Sequence, residues 1–272
     1  QRVRRGENSG APGSAKPTVV YFVDYFANSH DPELAEAFVR IMEHNGYRVF
    51  IPPAQTVTGM AMFSNGDLAA ARVIAEQNIR ELIEPAREGY AVVCTEPTAA
   101  LCLTQEYPML VQNDDACVVA QQTTDAGSFL ADLFRRGKLK RDFAPLPMRI
   151  VWHTPCHVKA LRNGTPMLEL LALIPELTVV TIEKGCTGMA GTFGIAAENF
   201  QKSIEIGAEL IREMQTIDAV AGVTECSSCR MQMEQAATIP TIHPIKLLAL
   251  SYGLMPRISE RLKARPGGLV MS

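Results

Sequence analysis

The sequence predicts an α/β protein built as two tandem pseudo-repeats, each a small, mainly parallel sheet flanked by helices. Three observations carry this expectation. Short β-branched runs alternate with segments of helical period, the order that builds parallel sheets through crossover helices. Two peptides return at one fixed offset: Thr58-Gly59-Met60-Ala61 as Thr187-Gly188-Met189-Ala190, and Thr95-Glu96 as Thr224-Glu225. The helical phase agrees, since the apolar stripe Ala71, Ala75, Ile79 and Leu82 lands at the same offset on Phe200, Ile204, Ala208 and Ile211.

In the first repeat, residues 17–146, Thr18 to Val23 is expected as a strand, Pro32 to Asn45 as a helix stopped by Gly46, and Tyr47 to Ile51 as a second strand. After a loop from Thr58 to Gly66, Asp67 caps a helix running to about Arg87, and Tyr90 to Val93 feeds a short helix near Thr98 to Gln105. Tyr107 to Leu146 is read as the connection between the repeats, with a helix around Asp125 to Arg136. The second repeat, residues 147–256, follows the same order. Strands are expected at Arg149 to Trp152, Leu177 to Ile182 and Ala219 to Val223, and helices at Pro166 to Ile174, Glu198 to Met214, and after Cys226 and His243. Residues 1–16, with Gly, Pro and Ser, read as a linker, and 257–272 as a C-terminal tail.

Composition narrows the functional class. A chain of 272 residues, 47% hydrophobic and 20% charged, has the apolar mass of a globular protein. A formal charge of −3 argues against a nucleic-acid binder, which would need clustered Lys and Arg. The longest apolar stretch, Leu168 to Val180, is broken by Glu169, Pro175 and Glu176, so no transmembrane segment is expected and membrane contact would be peripheral. Seven unevenly grouped cysteines point to metal or redox work in a reducing compartment, here the cytoplasm, rather than to a disulfide scaffold.

The grouping is informative. Cys156, Cys186 and Cys226 each fall three or four residues beyond a predicted strand, and Cys229 follows Cys226 by about one helical turn. In open parallel sheets the loops beyond the carboxyl ends of the strands form the ligand crevice, so these four thiols can meet there. At the repeat offset they face Ala27, Val57, Pro97 and Ala100, so one repeat holds the chemistry and the other lacks it. A four-thiolate shell suits an iron–sulfur cluster or zinc. Dithiol catalysis by Cys226 and Cys229 is a third use, but it leaves Cys156 and Cys186 unexplained. Cys94, Cys102 and Cys117 share no spacing and are expected as buried small hydrophobes.

Gly185, Gly188 and Gly191 surround Cys186, allowing backbone N–H groups to approach a bound cluster. His153 and His157 bracket Cys156 and, with His243, are candidates to donate hydrogen bonds or carry a proton. Lys159, Lys184 and Arg230 lie near the same loops and could offset negative charge.

The segments His153-Thr154-Pro155-Cys156-His157, Gly185-Cys186-Thr187-Gly188-Met189-Ala190-Gly191, Thr224-Glu225-Cys226-Ser227-Ser228-Cys229 and His243-Pro244-Ile245 resemble the cysteine-rich CCG domain. That domain occurs in heterodisulfide reductase, anaerobic glycerol-3-phosphate dehydrogenase and FAD-linked oxidases of 2-hydroxy acids. The similarity runs from about Pro17 to Leu254. The family motif pairs two cysteines before the glycine, whereas this chain has Thr187 in the second place, so the resemblance implies four thiolates, matching a 4Fe–4S cubane or zinc rather than a five-thiolate cluster. Tyr25 or Ala27, Val57, Thr58, Pro97 and Ala100 occupy the ligand places of the first repeat, which the resemblance makes structural or partner-binding. It further implies an electron-transfer module, with FAD on a separate domain or partner protein, a quinone or other acceptor downstream, and a site peripheral to the inner membrane. The alternative is a zinc-stapled assembly domain without a redox role. No flavin or nicotinamide fingerprint lies in the sequence, so no complete dehydrogenase active site is expected within it.

Overall fold

A computed structural model describes residues 16–237 and 239–263, and the chain divides into two compact units between Lys140 and Arg141. The linker expected at 1–16 lies outside the described residues apart from Lys16.

The first unit opens with β1 (Thr18–Phe22), a β-branched and aromatic run. It leads into α1 (Tyr25–Ser29), capped by Asp24, whose Oδ1 accepts the Phe26 and Ala27 amides at 2.7 and 3.2 Å. α2 (Pro32–His44) begins with proline, carries Glu33 in its first turn and gives way to Gly46 at φ +84°. β2 (Arg48–Phe50) follows, then a short α3 (Met60–Ser64), entered through Gly59 at φ +80°. This corrects the expected loop from Thr58 to Gly66. α4 (Leu68–Arg87) is capped by Asp67 through the Ala70 amide at 3.0 Å and buries Ala71, Ala75, Ile79 and Leu82 as its period predicts. β3 (Val92–Cys94) feeds α5 (Pro97–Leu101), which continues through a wide turn at Cys102–Glu106 into α6 (Tyr107–Val111). α7 (Asp114–Gln122), β4 (Thr123–Asp125) and α8 (Ala126–Arg135) complete the unit.

The stretch from Tyr107 to Arg135 is therefore part of the first unit rather than a connection. β4 eluded the sequence reading because Thr123-Thr124-Asp125 has no apolar alternation. Its buried Thr123 and Asp125 are satisfied instead by hydrogen bonds, to the Val119 carbonyl at 2.8 Å and from the Ser128 amide at 2.8 Å. The strand order is β2-β1-β3-β4, all parallel.

The second unit contains β5 (Met148–His153), α9 (Cys156–Leu161), α10 (Pro166–Leu171) and β6 (Leu177–Ile182). Two single 3₁₀ turns precede α11 (Phe200–Thr216), followed by β7 (Ala221–Val223) and α12 (Ser227–Ala237). β8 (Thr241–Ile242), α13 (Pro244–Ser251) and α14 (Ile258–Lys263) close the described chain. The order β6-β5-β7-β8 is again all parallel and repeats the order of the first unit. Val151, Ile182, Leu210, Met214, Met233 and Ala237 form one of its cores.

One expectation fails on α11. Its buried face is Ser203, Gly207, Leu210 and Met214, while Phe200 is exposed and Ile204, Ala208 and Ile211 are only half-buried. The reason is local. The glycine loop docks its backbone on Ser203 and Gly207, so the contact face is small and polar, and an apolar count favours the neighbouring stripe. No helix among the described residues is long and apolar enough to cross a membrane.

Candidate metal centre

Because β6, β5 and β7 are adjacent and parallel, their carboxyl ends share one edge of the second sheet. β5 ends at His153, β6 at Ile182 and β7 at Val223, so Cys156, Cys186 and Cys226 all sit in loops at that edge. Cys156 is the first residue of α9, Cys226 immediately precedes α12, and Cys229 lies in the first turn of α12.

The four thiols interact through space. The Cys229 thiol donates to Cys226, and the Ser228 hydroxyl and the Ser228 and Cys229 amides also face Cys226 Sγ, with Ser228 Oγ at 3.1 Å. This hydrogen bonding outweighs burial and brings the Cys226 thiol down to about 6, while donating that hydrogen bond, and then burial, push Cys229 well up. Within the pair Cys226 is thus the more acidic sulfur and Cys229 the one that keeps its proton. Cys156 is exposed on its outer side. Burial of its inner side, then Cys186 and Cys226, raise its thiol above the ordinary value. Cys186, half-buried, receives the Gly188 amide at 3.3 Å. Among the described residues no three His, Cys, Asp or Glu side chains close on a point that a single ion could occupy.

The supporting residues have unequal roles. Of the three glycines expected to approach a cluster, Gly188 directs its amide at Cys186, whereas Gly185 and Gly191 provide left-handed turns at exposed positions, with φ of +39° and +65°. His153 is buried and held neutral, its pKa lowered to about 4 by burial and then by Lys159. Burial likewise lowers His157. His243 caps α13, its Nδ1 accepting the Ile245 amide at 3.2 Å. Arg230 pairs with Glu234 at 2.9 Å.

Three residues that carry the loop were not singled out as site residues from sequence. Thr187, fully buried, donates its hydroxyl to Cys229. Ser203 on α11 donates to the Gly188 carbonyl at 2.9 Å and accepts from Gln232 Nε2 at 3.2 Å, linking the Cys186 loop to the helix that bears Cys229. The loop–helix approach is close: a Cβ on Gly188 would lie 2.0 Å from the Ser203 carbonyl oxygen, and one on Gly207 would lie 2.2 Å from the Thr187 oxygen. Spacing alone could have suggested Gly207, since it is the small residue facing the repeated Thr-Gly peptide.

The remaining cysteines stand apart. Cys94 and Cys102 are buried in the first unit as expected, and Cys102 donates to the Thr58 carbonyl at 3.5 Å. Cys117 is exposed on α7, against expectation, because it occupies a solvent-facing position of a helix whose buried residues are Ala116 and Val119.

Residues 150–234 match the family model described as CCG, cysteine-rich domain. The second unit carries a CCG cysteine-rich domain. One relative, the C-type component of the anaerobic glycerol-3-phosphate dehydrogenase of Escherichia coli, is 32% identical over 235 residues, covering 86% of this chain and 59% of that protein. The B-type component of fumarate reductase (CoM/CoB) from Methanothermobacter marburgensis is 28% identical, covering 87% of this chain and 45% of that one. Lactate utilization protein A of an Exiguobacterium is 25% identical and covers 86% and 96%. The chain thus spans about half the length of the first two relatives. Among solved structures, the aspartate racemase of Picrophilus torridus aligns over 89% of the chain at 11% identity with a TM-score of 0.34, too low a likeness to bear on function.

Proposed function

We propose that this chain is an iron–sulfur electron-transfer module of a dehydrogenase or reductase, with Cys156, Cys186, Cys226 and Cys229 holding a 4Fe–4S cluster. The observation that carries the reading is the gathering of four thiols at one sheet edge, inside the CCG domain. The donor set fits the group: four thiols at one sheet edge, two of them hydrogen-bonded to each other, and a backbone amide directed at a third. The close Cys226–Cys229 pair with two outlying thiols suits a multi-iron group, in which each iron takes its own thiolate. Bound there, such a cluster would supply a one-electron relay.

The chain's own residues would do the rest. Cys229, then Ser228 and the first amides of α12, direct hydrogen bonds at Cys226 and make its proton easier to displace on ligation. Gly188 directs an N–H at Cys186, a hydrogen bond of the kind that tunes potential. His153, buried and neutral, adds no positive charge near the loop of Cys156. Two relatives are named as parts of a dehydrogenase and a reductase, which supports a partner protein; on this proposal the donor is a flavin-bearing domain or partner oxidising a small hydroxylated substrate, with a quinone or other acceptor downstream at the membrane periphery.

Metal and acid-labile sulfide analysis of anaerobically purified protein, with its visible spectrum, tests the proposal. About four iron and four sulfide per chain are expected. About one zinc without sulfide would overturn it in favour of a stapled assembly domain.

A further inference from the structure

We infer that Ser203 is a positioning residue that sets the reduction potential of the bound cluster by keeping the Gly188 N–H on Cys186 Sγ, an inference resting on the electron-transfer reading above. The Gly188 amide reaches that sulfur at 3.3 Å. Both peptide groups that meet at Gly188 are held from α11. The Thr187 carbonyl shares a peptide plane with the amide and lies so close to Gly207 that a Cβ there would sit 2.2 Å from its oxygen. The next carbonyl, that of Gly188, accepts the Ser203 hydroxyl at 2.9 Å. Gly188 itself takes φ +91°, and a Cβ on it would lie 2.0 Å from the Ser203 carbonyl oxygen, so the loop rests directly on the helix backbone.

The hydroxyl is held in its turn. Its single proton goes to Gly188, so toward Gln232 it can only accept, and Gln232 Nε2 meets it at 3.2 Å. Both side chains are fully buried, and Gln232 Oε1 has no hydrogen-bond partner among the described residues. Burying such a pair costs free energy that the turn itself does not require. At the repeat offset Ile74 stands opposite Ser203 and Leu103 opposite Gln232, and there Gly59, at φ +80°, makes the equivalent turn against the Ile74 side chain at 3.3 Å. The polar pair thus belongs to the unit that carries the four thiols. Gln232 lies three residues beyond Cys229 on α12, so the same pair ties the Cys186 loop to the helix bearing Cys229. A hydrogen bond to a ligand sulfur is worth more as the cluster gains an electron, so an amide held on Cys186 favours the reduced form and raises the potential.

The test compares Ser203→Ala, which removes the hydroxyl, and Gln232→Met, which keeps the length and removes the donor, with Ile211→Ala. The last loosens α11 about two turns beyond Ser203, where Ile211 packs against the Leu210 and Met214 core. Each protein is loaded anaerobically, assayed for iron and sulfide, titrated potentiometrically with EPR detection, and followed by hydrogen exchange over residues 186–190. Ser203→Ala is expected to carry the parent's iron at a more negative midpoint potential and to lose exchange protection at Gly188. Gln232→Met should do the same to a smaller degree, and Ile211→Ala should keep the parent potential. Ser203→Ala with full iron and an unchanged potential would overturn the role of Ser203 and leave the electron-transfer reading intact, as would an equal shift in Ile211→Ala. Parent protein without iron and sulfide would overturn both. If Ser203→Ala folds but takes up no iron, lost protection at Gly188 sustains the inference and parent-like protection overturns it. Should Ser203→Ala fail to fold, Gln232→Met takes its place under the same criteria.

Discussion

The two units share a strand order and even a left-handed glycine at matching positions, Gly59 and Gly188, yet they fill the space beneath the following loop in opposite ways. In the first unit Asn78 is fully buried on α4. Its amide donates to the Val57 carbonyl at 2.9 Å and the Tyr107 hydroxyl at 2.8 Å, and its oxygen accepts the Thr56 amide at 2.8 Å. Tyr107 in turn donates to the Thr58 carbonyl at 3.1 Å. The repeat offset places Gly207 opposite Asn78, and there the backbone of the Cys186 loop comes directly onto the helix. One unit closes its loop with side chains; the other brings the main chain in and leaves thiols at the edge. A ligand-bearing loop and a plugged loop are thus alternative solutions to one requirement, that the loop's buried polar groups be satisfied.

The sharpest way to break this contrast is to remove a sulfur from each unit. Cys226→Ser is expected to abolish most iron binding, whereas Cys102→Ser, which preserves a donor to the Thr58 carbonyl, should keep the full iron content. Iron analysis of both proteins decides it.

Glycine replacements come next. Gly188→Ala meets both a positive φ and a backbone carbonyl that cannot yield, and should cost about 3 kcal/mol or more. Gly59→Ala meets a similar φ, but its nearest neighbour is the Ile74 side chain at 3.3 Å, so about 1–2 kcal/mol is expected. Chemical denaturation followed by hydrogen exchange in each unit would measure the two losses separately, and equal losses would sink the distinction.

The units should also respond to pH with opposite sign. Burial raises Asp24 from its ordinary value of 3.8 to about 6, so the unfolded chain releases this proton first, and the first unit loses stability as pH rises from about 4 to 6. Burial lowers His153 from 6.5 to about 4, so the unfolded chain binds its proton first, and the second unit loses stability as pH falls from about 6.5 to 4. Each swing is on the order of 2–3 kcal/mol. Asp24→Asn, which keeps the capping oxygen, should flatten the first profile, and His153→Gln the second. Exchange protection in each unit across pH 4 to 7 would show it.

A last test of the contrast is at Asn78. Replacement by Ala leaves the Thr56 amide and the Val57 carbonyl without their partner and should destabilise the first unit by about 2 kcal/mol. Unchanged stability would mean that water replaces the amide and that the plug is incidental.

How legible the molecule was in its sequence depended on which kind of signal each element used. β1, α2, α4 and β6 were readable because apolar periodicity and local caps such as Asp67 and Gly46 act over a few residues. α3, α9, β4 and β8 were not, being short and held by contacts distant in sequence rather than by propensity. The core face of α11 was misread for a related reason, because Ser203 and Gly207 are buried by an approaching backbone that carries no hydrophobic mark.

By itself the sequence determined the alternation of strands and helices, the repeat, and the positions of Cys156, Cys186 and Cys226 just beyond strand ends, since these follow from short-range propensity and counting. Tertiary structure alone decided that Ser203 on α11 ties down the Cys186 loop through the Gly188 carbonyl, that Gln232 on α12 holds Ser203, and that Asn78 and Tyr107 plug the other unit. Those outcomes depend on hydrogen bonds between groups many residues apart, whose geometry exists only once both sheets have formed and water has been excluded from the loops above them.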